Sequence, residues 1–188
     1  MTHWITSDIH LNHANILQYC GGRGSTVPEM NEKIISNWNS VVKPGDLVTI
    51  VGDVAMGIIK EAPALIRSLN GSKHLVKGNH DHGLCRLPEI DSLFDSIRDY
   101  KEITHSKDGI KHKIVLCHFP LYSWVGQHYG VMHCHGHLHS PPDKVHLFPE
   151  RRILDVGLDG NNLFPRKLDD VVDLLSRIKI SKNHHDRD

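Results

Sequence analysis

His74-Leu75-Val76-Lys77-Gly78-Asn79-His80-Asp81 reads as a short β-rich run that stops at a glycine and passes at once into metal-competent side chains. The same arrangement recurs along the chain. Trp4-Ile5-Thr6-Ser7 leads into Asp8-Ile9-His10, and residues 47–51 lead into Gly52-Asp53. Residues 114–117 lead into His118, and residues 131–135 into Gly136-His137-Leu138-His139. In open α/β sheets, ligands bind outside the carboxyl ends of the strands. Such ends would bring Asp8, His10, Asp53, Asn79, His118, His137 and His139 to one crevice. The glycines at 52, 78 and 136 suit tight turns and close backbone approach there. Aspartates and histidines where buried strands end are costly unless paired or metal-bound. The candidate ligands exceed the roughly four of one tetrahedral site. They suit two metals about 3.5–4 Å apart that share a carboxylate.

Between the early strands lie helical stripes. Met30, Ile34, Trp38 and Val41 share a face entered through Thr26 and Pro28, which suit a helix start. Ile58, Ala62, Leu65 and Leu69 form a second stripe, stopped by Asn70-Gly71, and Leu168, Val171, Val172 and Leu175 form a third. Strands alternating with helices imply parallel pairing in the first half. The closely spaced strands of the second half, with few helices, imply an antiparallel or mixed part. No repeat or Pro/Gly/Ser linker divides the chain. The expectation is one domain over residues 1–182, with a frayed tail at 183–188.

Composition narrows the function classes. With 39% hydrophobic residues in 188, the chain can bury a core, and no apolar run approaches a membrane span. The N-terminus lacks a basic region followed by an apolar stretch, so a cytoplasmic protein with no membrane partner is expected. Lys+Arg and Asp+Glu balance at 22 each, which excludes a broad electrostatic footprint while leaving room for a small basic pocket. Histidine, at 17 residues, is the outlier. His3, His74, His82, His105, His112, His128 and His146 read as ordinary structural or solvated residues. His133 and His135 share a strand face with His137, either orienting ligands or, the favoured reading, as plain strand residues. Cys20, Cys85, Cys117 and Cys134 form no C-x-x-C pair and are expected as free thiols. There is no Gly-x-Ser-x-Gly elbow. Gly21-Gly22-Arg23-Gly24 lacks the lysine and spacing of a P-loop and reads as a flexible turn.

The series Asp8-x-His10, Gly52-Asp53, Gly78-Asn79-His80-Asp81, His118 and Gly136-His137-x-His139 resembles the signature of the calcineurin-like metallophosphoesterases, in the family's order. The Gly-Asn-His-Asp and Gly-His-x-His blocks are the specific ones. Val156-Gly157-Leu158-Asp159 also resembles a strand near the end of small bacterial and phage members. The resemblance implies an α/β fold, a four-layer α/β/β/α sandwich of two mixed sheets flanked by helices. It implies that Asp8, His10 and His139 hold a first metal, that Asp53 bridges, and that Asn79, His118 and His137 complete the second. His80 would face the substrate, oriented by Asp81, and protonate the leaving oxygen or stabilise the transition state. Many members follow Asp-x-His with glycine, whereas Leu11-Asn12-His13 stands here, resembling a branch in which a further Asn and His crowd the site. On that reading His13 and Arg23 contact the substrate phosphate, beside Asn79.

The implied activity is phosphate-ester hydrolysis by a hydroxide bridging two divalent cations. Phosphodiesters of the nucleotide or nucleic-acid-end type rank first, and phosphomonoesters are the near alternative. Mixed nitrogen and oxygen donors suit Mn²⁺ first, then Fe, Zn²⁺, Ni²⁺ or Co²⁺, ahead of Mg²⁺ or Ca²⁺. Phe119-Pro120-Leu121-Tyr122-Ser123-Trp124 leaves His118, and its aromatics either line the substrate pocket or anchor the loop. A catalytically silent scaffold would lack ligands or His80, and none is missing. A histidine-rich metal carrier would not need Asn79, Asp53 or His80.

Overall fold

The first strand alternates its side chains between two cores, and that alternation sets the layers. In β1 (His3–Thr6), Trp4 packs on one face of the sheet and Ile5 on the other. Just beyond it, Ile50 and Val51 divide in the same way, as do Leu75 and Val76. A computed structural model describes residues 1–145, 148 and 150–180. The tail at 183–188 and His146 lie outside the described residues.

The chain builds two mixed sheets flanked by helices, as expected. The first has the order β4-β3-β2-β1-β9, from β2 (Leu47–Ile50), β3 (Ser72–Val76), β4 (Ser96–Arg98) and β9 (Arg166–Lys167). Strands β1 to β4 run parallel, and β9 pairs antiparallel with β1. The second sheet has the order β5-β6-β7-β8, from β5 (Lys101–Lys107), β6 (Ile110–Leu116), β7 (Met132–His135) and β8 (Ile153–Asp155). Here β5 and β6 form an antiparallel hairpin, and β6, β7 and β8 are parallel.

Helices α2 (Val27–Val41) and α3 (Ala62–Ser68) cover the outer face of the first sheet, after a single turn, α1 (Ile16–Tyr19). The start of α2 is chemical: the Thr26 hydroxyl accepts from the Glu29 amide, Pro28 sits in the first turn, and Glu29 faces the positive helix end. Its buried stripe contains Met30, Ile34 and Trp38, as the spacing predicts. Between the sheets, Ile5, Val51 and Val76 meet Ile114, Leu116, Cys134 and Leu154. Helix α4 (Leu168–Ser176) closes that core with Leu168, Val171, Val172 and Leu175.

Two expectations are corrected. Ile58 is 63% exposed because it precedes the 3-10 turn Ile59–Glu61 and lies outside α3, whereas Ala62 and Leu69 are buried as expected, joined by Ile66. Val156 to Asp159 is not a strand: β8 ends at Asp155, and Leu158–Asn161 is a 3-10 helix, leaving an isolated bridge between Ser7 and Gly157. That bridge ties the carboxyl ends of the two sheets together, where the candidate ligands lie.

Candidate metal centre

Each of β1, β2, β3, β6 and β7 delivers its polar residues at its carboxyl end. Asp8, His10, Asp53, His137 and His139 all have φ between 49° and 71°. A left-handed backbone at a residue with a Cβ costs on the order of 1–3 kcal/mol and persists only where its surroundings hold it. Backbone bonds hold it here: the Asp8 amide donates to Gly52 O (3.0 Å) and the His10 amide to Asp53 O (3.0 Å), zipping the two loops together. Gly52 (φ +91°) is required there, because a Cβ would strike His118 Nδ1 and the Gly78 backbone.

Seven lone-pair donors gather in two groups. In the first, His10 Nε2 lies 3.2 Å from His139 Nε2, and these stand 3.9 and 3.7 Å from Asp8 Oδ1. His139 Nδ1 faces the Asp159 carboxylate at 2.8 Å, which leaves its Nε2 lone pair turned toward His10. In the second, His118 Nδ1 donates to Val51 O (2.8 Å), so its Nε2 faces Asn79 Oδ1 at 3.1 Å and Asp53 Oδ2 at 3.4 Å. His137 Nδ1 reaches the same Asn79 oxygen at 3.1 Å. Asp53 Oδ2 also stands 3.6 Å from His10 Nε2, so it lies between the groups. Electron-rich atoms facing one another at such distances need a cation or a proton among them. Asp8-His10-His139 and Asp8-Asp53-His118 are each grouped closely enough to hold a metal ion, as is Cys20-His139-Asp159.

The electrostatics carry the same message. Burial pushes the Asp8 carboxyl up to about 6, against His139 and His118. Burial also opposes charge on Asp53, but the His118 ring, the His80 amide and His10 outweigh it and hold that carboxyl down to about 2. Burial drives His10 down to about 2. His139 is desolvated too, yet its bonds to Asp159 and Cys20 and the Asp8 charge raise it to about 10.

His13 and His80 border this cluster. His13 Nδ1 lies 3.1 Å from His10 Nδ1, and the His80 ring stands 5.6 Å from His10 and 5.9 Å from His13. The His80 ring nitrogens have no hydrogen-bond partner among the described residues, and its backbone amide donates to Asp53 Oδ1 (2.9 Å). Asp81 does not orient that ring. Its buried carboxylate accepts from the amides of Asp53, Val54 and Gly78 at 2.8–2.9 Å, so it clamps the loops after β2 and β3 together.

Arg23 also departs from expectation. It is fully buried, so Gly21-Gly22-Arg23-Gly24 is a structural turn and Arg23 cannot reach a substrate phosphate. Its guanidinium holds both Asp159 oxygens (2.8 Å) and donates to Ile9 O (2.8 Å) and Asp8 O (2.6 Å), stapling the Asp8–His10 loop. Removing one partner of a buried pair costs about 3–5 kcal/mol. Arg23→Met should therefore lower the unfolding free energy by an amount of that order, read from denaturant titration, whereas loss of a substrate contact would leave that stability unchanged. Sequence reading missed Asp159, which links Arg23 to His139, and Ser7, whose hydroxyl donates to Asp8 Oδ2 (2.7 Å). No spacing signal points to a partner 136 residues away.

His133 behaves as the plain reading has it. Its Nε2 accepts from the Leu121 amide (3.1 Å), its Nδ1 faces Val115 O (3.1 Å), and burial lowers it to about 4. His3, His74 and His105 pair with Thr49, Ser96 and Asp169, and the cysteines are free thiols. At Gly136, a Cβ would collide with Ser7 Oγ and Asp8 Oδ2. Gly136→Ala should displace Asp8 and lower metal affinity about 10–100-fold, as loss of a ligand-orienting contact does, measured by titration of metal-stripped protein.

Fold and site together define an α/β sandwich with a histidine- and aspartate-rich cluster able to hold metal at the joined strand ends. The chain belongs to the family of the uncharacterized protein MJ1445 of Methanocaldococcus jannaschii, to which it is 31% identical over 186 residues, 97% of this chain and 96% of that protein. The gene 66 protein of Mycobacterium phage D29 is 30% identical over 201 residues, covering 94% of this chain and 96% of that protein. Among solved structures, the protein of unknown function AQ665 from Aquifex aeolicus shares the fold, with a TM-score of 0.70 at 23% identity over 92% of this chain and 98% of that one. No family model matches the chain. Among the described residues, no helix is long and apolar enough to cross a membrane.

Proposed function

We propose that this chain is a divalent-metal-dependent phosphoester hydrolase of the calcineurin-like metallophosphoesterase kind, acting on phosphodiesters of the nucleotide or nucleic-acid-end type. The observation that carries the reading is the placement of Asp53 Oδ2, 3.6 Å from His10 Nε2 and 3.4 Å from His118 Nε2, between two groups of lone-pair donors. A shared carboxylate flanked by imidazoles is the donor set that two adjacent cations require. The nitrogen and oxygen mixture favours Mn²⁺, with Fe, Zn²⁺, Ni²⁺ and Co²⁺ next. Bound there, such cations supply a nucleophilic water of lowered pKa and offset charge on the phosphoryl oxygens.

The chain's own residues do the rest. Asp8, His10 and His139 form one ligand group, and Asn79, His118 and His137 the other. His80, whose ring nitrogens have no hydrogen-bond partner among the described residues, protonates the leaving oxygen. His13 borders the phosphate position beside His80, its ring 5.0 Å from that of His10 and 5.9 Å from that of His80. Asp81, Arg23 and Asp159 hold these loops without touching substrate. The test is hydrolysis of bis-p-nitrophenyl phosphate beside p-nitrophenyl phosphate by metal-stripped protein, with Mn²⁺, Ni²⁺, Zn²⁺ or Mg²⁺ added back. Metal-dependent turnover favouring the diester is expected. Turnover of the monoester alone would move the chain to the phosphatases, and none with any metal would overturn the reading.

A further inference from the structure

Two ways lead out of the candidate metal centre, and their chemistry differs. One is a groove of about 1080 Å³ that begins at Asn12 and His13 and runs between α2 and α3. Its walls are apolar, but they carry the exposed acids Glu32 and Glu61, which repel a polyanion. The other starts at Phe119. This ring is 45% exposed and packs edge-on 5.2 Å from the His118 ring and 4.8 Å from the His137 ring, so it borders the second ligand group. Three residues on, Tyr122 is 84% exposed, with the Arg151 guanidinium 4.9 Å above its ring. Arg151 also lies 5.4 Å from the partly exposed ring of Phe148, and the hollow beside Tyr122 sets Arg151 and Arg152 against one acid, Glu150.

The loop that presents these rings is pinned. Trp124 is buried, and its indole donates to Val131 O (2.8 Å); the Leu121 amide donates to His133; Arg151 Nη1 donates to Tyr122 O (2.7 Å). Anchoring and display are thus divided: Trp124 holds the loop, while Phe119 and Tyr122 face outward.

We infer that Phe119, Tyr122 and Arg151 form a stacking platform for single-stranded nucleic acid, which enters the metal centre from this side. The inference rests on the phosphodiesterase reading and names its substrate class. Three residues of chain span at most about 11 Å, so the Cα atoms of Phe119 and Tyr122 lie no further apart than that. Flat rings and an arginine plane bind any base by stacking. With one arginine in the platform, few phosphate contacts are made and stacking carries the binding, so the affinity falls shallowly with salt.

The experiment is fluorescence anisotropy of a labelled oligothymidylate about a dozen nucleotides long, read in chelator so that no cleavage intervenes. Phe119→Ala and Tyr122→Ala should each weaken binding roughly five- to a hundredfold, and Tyr122→Phe should restore it. Tyr129→Ala, at an exposed ring outside the platform, should bind as the parent does. Unchanged binding in both alanine variants, or equal affinity for a duplex of the same length, would overturn the platform. If the parent hydrolyses bis-p-nitrophenyl phosphate yet fails this test, the platform falls and the hydrolase stands. Binding that depends on both rings, without turnover by any metal, would support the platform and remove the hydrolase.

Discussion

Asp53→Asn should reduce turnover on the order of a thousandfold or more and lower the number of metal ions bound per chain, while the fold survives. The side chains are nearly the same size, so packing is kept, and Asn Oδ1 can still accept the His80 amide that Asp53 Oδ1 accepts at 2.9 Å. What changes is the second oxygen. Asp53 Oδ2, shared between His10 and His118, becomes an amide nitrogen that cannot ligate and carries no charge. Metal-ion catalysis contributes several kcal/mol, and each 1.36 kcal/mol is tenfold in rate, which sets the expected loss. Elemental analysis after gel filtration, beside turnover of bis-p-nitrophenyl phosphate, checks it. Full activity with full metal content would remove Asp53 from the centre.

His80→Ala should lower kcat about 10²- to 10⁴-fold, the usual worth of a positioned proton donor, with the metal content unchanged. The two substitutions separate because His80 reaches Asp53 through its backbone amide, which alanine keeps, while its ring points past His10 without a hydrogen-bond partner among the described residues. Loss of metal in the His80 variant would mean that the ring is a ligand, and would move the proton donor elsewhere, with His13 the nearest alternative.

Much of the fold was legible because its signals are local. The runs before Asp8, Asp53 and Asn79 are β-rich and end at polar residues, and the capping of α2 at Thr26 follows from side-chain chemistry alone. The β5–β6 hairpin was not read whole, although Asp108-Gly109, both at positive φ, is a strong turn signal. Its strand Lys101–Lys107 alternates half-buried with exposed positions and fills several of the inner ones with Lys and His, so the apolar alternation that marks a strand is faint. Strand β9 has two residues and depends wholly on its partner β1.

At the site, the sequence motifs name residues that the fold places together, but they do not separate those that face the cleft from those that support it. Asp81 sits in the same block as His80, and Arg23 lies in a glycine-rich turn shortly after the first block. Their burial and their carbonyl and amide partners, contributed by distant loops, decide that they brace the backbone. Asp159 was out of reach for the same reason: its partner Arg23 lies 136 residues away, and no motif spacing ties it to His139, 20 residues before it.

The central claim is that Asp53 joins two cation sites, and anomalous diffraction from crystals grown with Mn²⁺ tests it most directly. Two peaks are expected, roughly 3.5–4 Å apart. One should lie among Asp8, His10 and His139 and the other among Asn79, His118 and His137, with Asp53 touching both. A single peak at Cys20, His139 and Asp159, or no peak at Asp53, would contradict it.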